Sequence, residues 1–325
     1  MRDEGEDGLG ARIAAGDRRA LARGITLVES SRPDHRAASR ALADALPPRA
    51  RPALRVGLTG TPGVGKSSLV ESLGLMLTGR GLRLAVLAVD PSSARSGGSI
   101  LGDKTRMERL ARDPAAFIRP SPSQAALGGV GRRTRETIRL VEAWGADVVL
   151  VETVGVGQSE TMVADMTDIF VLLIAPGGGD ELQGVKRGIM EMADLILVNK
   201  SDGAHLAEAT RTCADYAGAL RLIRPRPGDP AGYPRALTVS ALTGAGLGEA
   251  WAAVETLGSA RQASGAWEAR RRGQAVAAFR RLVEQGLLAL ARDGESWDRL
   301  SEEVAAGRLA PETAAEAMLA AVLRP

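Results

Sequence analysis

The sequence predicts an α/β fold, a mostly parallel sheet flanked by helices, with helical extensions at both ends. Three observations predict it. An apolar run at residues 54–59 leads into the glycine loop Gly60-Thr61-Pro62-Gly63-Val64-Gly65-Lys66-Ser67, and residues 68–73 then read as a helix. Further short apolar runs, at residues 82–89, 147–151, 168–175 and 195–198, recur at intervals that leave room for helices between them. Rich in leucine and β-branched residues, they read as parallel strands buried on both faces. Beyond Gly258 the composition turns to arginine, alanine and leucine. The expected organisation is an N-terminal helical extension at 1–53, a main domain at 54–258 and a C-terminal helical segment at 259–325.

In the N-terminal extension Ile13, Ala20, Leu21, Ile25 and Val28 form an apolar stripe, and residues 37–46 read as a second short helix. Pro47-Pro48 and Pro52 then end the segment. It is read as packed on the main domain; the alternative is an arm that binds a partner.

The main domain opens with the glycine loop. Placed between a strand and a helix start, the loop is a P-loop, and the sheet is that of a P-loop NTPase. The backbone around Gly63, Val64, Gly65, Lys66, Ser67 and Ser68 and the positive end of the helix converge where phosphate oxygens can sit. Lys66 reaches the terminal phosphates as a point charge, and the Ser67 hydroxyl is a Mg²⁺ ligand. The run at 82–89 ends in Asp90-Pro91-Ser92-Ser93. An acid at the carboxyl end of such a strand lies near the phosphate loop. Residues 94–105 are rich in glycine and serine and end at Asp103-Lys104-Thr105. They read either as a mobile switch loop or as a plain connection with Asp103 capping a helix.

Residues 132–144 read as a helix, and the strand after it runs into Glu152-Thr153-Val154-Gly155. Glu152 can hold Mg²⁺ or its waters, where many GTPases use an aspartate. The Gly155 amide can approach a γ-phosphate because no side chain blocks it. Val156-Gly157-Gln158-Ser159-Glu160 reads as a second switch. The run at 168–175 leads into Pro176-Gly177-Gly178-Gly179-Asp180-Glu181, with Lys186 shortly after. Three consecutive glycines lower the cost of rearrangement. A plain loop leading into a helix at 185–192 is the alternative.

Residues 195–198 run into Asn199-Lys200-Ser201-Asp202. The Asp202 carboxylate can accept both the guanine N1–H and the exocyclic amine. Adenine offers neither donor there, and the unpaired carboxylate would cost factors of about 10⁴. The Lys200 stem lies along the base face, and Asn199 ties this loop to the P-loop. Ser240-Ala241-Leu242 follows a strand at 236–239, and its backbone amides suit the guanine O6. The expected activity is therefore that of a GTPase and not an ATPase.

A helix at 247–257 closes the main domain. In the tail Val276, Phe279, Val283, Leu287 and Leu290 recur at helical spacing, and Pro311 suits the first turn of a last helix. This stripe can pack on its own domain or form a symmetric homodimer; the dimer is preferred, with Trp251, Trp267 and Trp297 close to it in sequence. A net charge of +3 over 325 residues, with no basic run beyond Arg270-Arg271-Arg272, leaves no nucleic-acid footprint. Cys213 is the single cysteine and His35 and His205 the two histidines, so neither an internal disulfide nor a Cys/His metal cluster is expected. There is no apolar run of bilayer length, and an acidic start replaces any leader, so the protein is expected in the cytoplasm, without a membrane partner.

Taken together, Asp90-Pro91-Ser92-Ser93, Gly97-Gly98-Ser99-Ile100-Leu101-Gly102-Asp103-Lys104-Thr105, Glu152 to Glu160 and Asn199-Lys200-Ser201-Asp202 resemble the MeaB/ArgK/MMAA family of SIMIBI-class P-loop GTPases. The likeness spans residues 54–245, is nearest the bacterial MeaB side and leaves no motif residue out of place. It implies a homodimeric G-protein chaperone, binding GTP/GDP and Mg²⁺. Such a chaperone gates adenosylcobalamin loading and protects methylmalonyl-CoA mutase or a related acyl-CoA mutase; a cobalamin adenosyltransferase can join the complex. The resemblance further implies Ser67, Asp90, Asp103 and Glu152 around the metal and Asn199, Lys200 and Asp202 on guanine. It makes residues 175–186 a third switch that answers the mutase. Lys66, Glu152, Asp180 and Lys186 are then the candidates for catalysis. A metal-insertion GTPase of the same class would carry a Cys/His motif, and a signal-recognition GTPase an RNA-binding module; neither is found. A transport-linked kinase would need a phosphoacceptor that nothing marks.

Overall fold

The computed structural model describes residues 6–30, 32–47, 51–89, 107–120, 127–153, 159–177, 187–292 and 295–323. It divides into two compact units, residues 1–271 and 272–325.

The first unit is built on seven strands: β1 (Leu54–Gly60), β2 (Leu84–Val89), β3 (Ala116–Arg119), β4 (Val148–Thr153), β5 (Ile169–Ile174), β6 (Leu195–Val198) and β7 (Arg235–Thr238). They form one sheet in the order β3-β2-β4-β1-β5-β6-β7. Every neighbouring pair is parallel. β4 and β5 are buried along their whole length, as strands covered on both faces must be. The side chains sort by the two-residue period of the pleat. Leu84, Val86, Val148, Leu150, Ile169 and Val171 enter one core. Ala85, Leu87, Val149, Val151 and Phe170 enter another on the opposite face.

The first core is closed by α4 (Lys66–Gly79), α5 (Glu108–Arg112) and α10 (Leu247–Ala263), through residues such as Leu69, Leu77, Leu110, Trp251 and Leu257. The second is closed by α1 (Glu6–Ala14), α2 (Arg18–Glu29), α3 (Pro33–Ala45), α6 (Leu127–Trp144) and α7 (Ser159–Ala164). The N-terminal stripe of Ile13, Ala20, Leu21, Ile25 and Val28 is buried in that second core. Three helices occupy the segment where the periodicity suggested two. Gly16 has a left-handed φ of 86°, and Asp17 then caps α2 by accepting from the backbone N–H groups of Arg19 and Ala20, at 2.8 and 3.0 Å. On the same face as the second core, α8 (Arg187–Met192) and α9 (Leu206–Leu220) cover a smaller third core around Leu172, Ile174, Ile196 and Tyr216.

Three further differences have simple causes. β3 has only four residues and sits at a sheet edge, too short to show a period. Helix α9 has no clear signal in the sequence, since its alanine-rich stretch has a weak apolar stripe. Trp251 and Trp267 are 2 % and 4 % exposed, so they belong to cores within the first unit and not to a dimer face.

α11 (Ala266–Arg292) runs from the first unit into the second, which adds α12 (Glu295–Ala305) and α13 (Pro311–Leu323). The second unit has its own small core of Ala291, Leu300, Ala314 and Met318, with Trp297, Val304, Leu309 and Val322 around it. Arg292 stacks over the Trp297 ring, 5.5 Å from its centroid. Along α11, Val276, Phe279, Leu282, Val283, Leu287, Leu288 and Leu290 are exposed. No helix among the described residues is long and apolar enough to cross a membrane.

Candidate nucleotide site

The sheet order sets the site. β1 lies between β4 and β5, so its carboxyl end meets those of both neighbours; Leu58 is in register with Glu152, and Gly60 with Leu173. In open parallel sheets ligands bind at such a place. The Thr59 and Thr153 hydroxyls hydrogen-bond each other at 2.7 Å where β1 and β4 end.

The glycine loop follows directly. Gly60 has no room for a side chain, since a Cβ would lie 2.4 Å from the Leu173 carbonyl oxygen. Gly65 precedes α4 with φ at 96°, and a Cβ there would lie 2.6 Å from Asn199 Nδ2. Lys66 opens the helix and is buried; its ammonium donates to the carbonyls of Gly60, at 2.6 Å, and Thr61, at 3.1 Å. Burial pushes the Lys66 pKa below the usual lysine value, opposed by the charges of Glu152 and Glu160. The Ser67 hydroxyl lies 3.4 Å from Glu152 Oε1. These two oxygen donors come from α4 and from β4, and hard donors of that kind fit Mg²⁺.

Asn199 joins two loops. Its Nδ2 donates to the Val64 carbonyl in the glycine loop at 2.9 Å. Its Oδ1 accepts from the Ala241 N–H at 3.0 Å. Lys200 follows with φ at 58°, a left-handed backbone that is uncommon outside glycine. Asp202 accepts a hydrogen bond from the Ser240 hydroxyl. The Ser240 oxygen in turn accepts from the Thr243 N–H at 3.1 Å. Ala241 is buried, and the Leu242 side chain is exposed. The structure therefore brings Gly63, Val64, Gly65, Lys66, Ser67, Ser68, Glu152, Asn199, Lys200, Asp202 and Ser240 to Leu242 to the carboxyl edge of the sheet. Asp90, Asp103, Asp180 and Lys186 lie outside the described residues. β2, which leads to Asp90, pairs with β4 and is one strand removed from β1.

One contact here had no signal in the sequence. Ser72, on α4, donates its hydroxyl to the Ala241 carbonyl at 2.6 Å, across 169 residues. A serine within a helix carries no mark of such a partner. No group of three or more metal-ligating side chains of His, Cys, Asp or Glu occurs among the described residues.

Comparison with known proteins agrees with this geometry. Residues 21–296 match the family described as methylmalonyl-CoA mutase-associated GTPase MeaB. The GTPase ArgK of Escherichia coli is 49 % identical over 288 residues, covering 89 % of this chain and 86 % of that protein. The mitochondrial methylmalonic aciduria type A homologue of Mus musculus is 45 % identical over 329 residues, covering 97 % of this chain and 79 % of that protein. A crystal structure described as an LAO/AO transport system kinase is similar with a TM-score of 0.79 at 38 % identity, covering 100 % of this chain and 99 % of the other.

Proposed function

The chain belongs to the MeaB family of methylmalonyl-CoA mutase-associated GTPases and is a GTP-hydrolysing enzyme; we propose that it serves as the chaperone of an adenosylcobalamin-dependent methylmalonyl-CoA mutase or a related acyl-CoA mutase. It gates loading of the cofactor and protects the mutase, as a cytoplasmic homodimer that an adenosyltransferase can join. The observation that carries the nucleotide half is Asn199, whose two hydrogen bonds make the glycine loop and the 240–242 loop one site. The mutase half rests on the family.

In this reading Lys66 exchanges its two loop carbonyls for the terminal phosphates. Ser67 and Glu152, with Asp90 and Asp103, would hold Mg²⁺, which offsets the charge on the phosphates. Asp202 pairs with the guanine N1–H and amine, and Lys200 lies along the base. Hydrolysis needs an in-line water and positive charge on the developing phosphate charge. Residues 175–186 serve as a third switch that answers the mutase, with Asp180 and Lys186 as its charged members. Lys186 then acts as a cation supplied on demand, worth at most about 10³- to 10⁵-fold by analogy with an arginine finger. As a point charge, lysine gives less than arginine. By linkage, a nucleotide state that the mutase favours must itself favour mutase binding by the same factor.

The test is GTP turnover, with ATP as control, with and without purified methylmalonyl-CoA mutase. Mutase stimulation of GTP turnover alone is expected, and Lys186→Ala should abolish the stimulated part while sparing the basal rate. Turnover unmoved by the mutase would sink the chaperone reading. Equal ATP turnover would sink the roles given to Asp202 and Lys200.

A further inference from the structure

The amide that meets the guanine 6-oxygen can be singled out. Among the amides of 241–243, the Ala241 N–H donates to Asn199 Oδ1 and the Thr243 N–H to Ser240 Oγ. The Leu242 N–H has no partner among the described residues. That N–H shares its peptide plane with the Ala241 carbonyl, and in a trans peptide the two point in opposite directions. Whatever holds the carbonyl therefore aims the N–H. The holder is Ser72, whose hydroxyl donates to it at 2.6 Å.

We propose that Ser72 is a positioning residue for base recognition: from the helix that begins with Lys66 and Ser67, it fixes the Ala241–Leu242 peptide so that the Leu242 N–H faces the 6-oxygen of a guanine nucleotide. This rests on the reading of residues 240–242 as the base loop. It makes α4 a member of both halves of the site. The amino end of the helix serves the phosphates, and its second turn sets the amide that reads the base. The side chain of Leu242 is 86 % exposed and does not orient the peptide by packing; the Ser72 hydroxyl holds its carbonyl end.

The experiment measures binding of GDP and of 2-aminopurine riboside diphosphate, which lacks the 6-oxygen, to the full-length protein and to Ser72→Ala. Alanine is the best helix former, so α4 should persist, and an unchanged thermal midpoint checks this. The expected result is a loss of GDP affinity of roughly five- to tenfold, the worth of one hydrogen bond, with 2-aminopurine riboside diphosphate binding unchanged. In turnover, the KM for GTP should rise by the same factor while kcat stays constant. Equal losses for both nucleotides would show that Ser72 merely props the phosphate helix and would overturn the proposal, as would no loss at all. If the unaltered protein binds both nucleotides equally, the base-loop reading itself fails, whatever the variant does.

Discussion

At Gly65 two constraints coincide: a left-handed φ of 96° and the Asn199 amide where a Cβ would go. Gly65→Ala should therefore weaken GDP binding by more than about tenfold, since an L-residue pays for this φ and also displaces the side chain that bridges the two loops. Isothermal titration would show it. At Asp202 the expected change is in discrimination. Asp202→Ala should bring the GTP-to-ATP ratio of kcat/KM from about 10⁴ towards unity. Asp17 offers a test of pH dependence. Hydrogen bonds from the backbone N–H of Ala20 and from Arg12 hold its carboxyl below the usual 3.8. A depressed folded-state value means that its stabilisation is present above the unfolded value and is lost as pH falls through the folded one. Asp17→Asn keeps an acceptor at the cap but should flatten that part of the acid limb in thermal melts below about pH 4. The chemistry of Gly65 and Asp202 was legible in the sequence, because glycine, lysine and aspartate at fixed offsets in a loop announce their roles. Ser72 was not, because its partner is distant in the chain.

Among the elements, the strand ends opposite the nucleotide site are fastened by buried ion pairs. Arg261 on α10 reaches Asp229 at 2.7 and 2.9 Å, Asp194 at 2.6 Å and the Asp168 carbonyl at 2.7 Å. Asp194 also pairs with Arg226 and accepts from the Phe170 N–H at 2.7 Å. Arg271 grips Asp168 at 2.6 Å and the Ala53 carbonyl at 2.7 Å. Asp168 and Asp194 directly precede β5 and β6, so the network ties α10 and the root of α11 to the amino edge of the sheet. Burial opposes charge on Arg261, but Asp229 and Asp194 outweigh it and raise its pKa. Arg261→Met should cost about 3–5 kcal/mol, because it leaves Asp194 and Asp229 buried without their main partner. Chemical denaturation would measure this. Composition marked a change beyond Gly258, yet α10 continues to Ala263 and the first compact unit to Arg271. Pairings such as Arg261 with Asp194 join residues 67 positions apart, and no local pattern betrays them.

For the whole molecule, the exposed apolar side chains of α11 are the feature the homodimer would use. Val276, Phe279, Val283, Leu287 and Leu290 recur at helical spacing, as the sequence shows, and remain exposed in the folded chain. Contiguous exposed apolar surface of this kind marks an interaction site. Phe279→Asp should halve the mass measured by sedimentation equilibrium and leave basal GTP turnover intact, since Phe279 lies outside the nucleotide site. A monomeric unaltered protein would count against the dimer. The sequence suggested that tryptophans would support this interface, but Trp251 and Trp267 are consumed by cores of the first unit.

The sequence alone determined the fold class, the nucleotide and the family, because each is written in short contiguous signals: buried apolar runs, a glycine loop before a helix, and a base-reading tetrapeptide. The tertiary structure decided the strand order that sets Glu152 beside Ser67, the arginine network beneath the sheet and the hold of Ser72 on Ala241. These depend on hydrogen bonds between residues far apart in the chain. Their energies come from partners that only packing brings within 3 Å or so of one another.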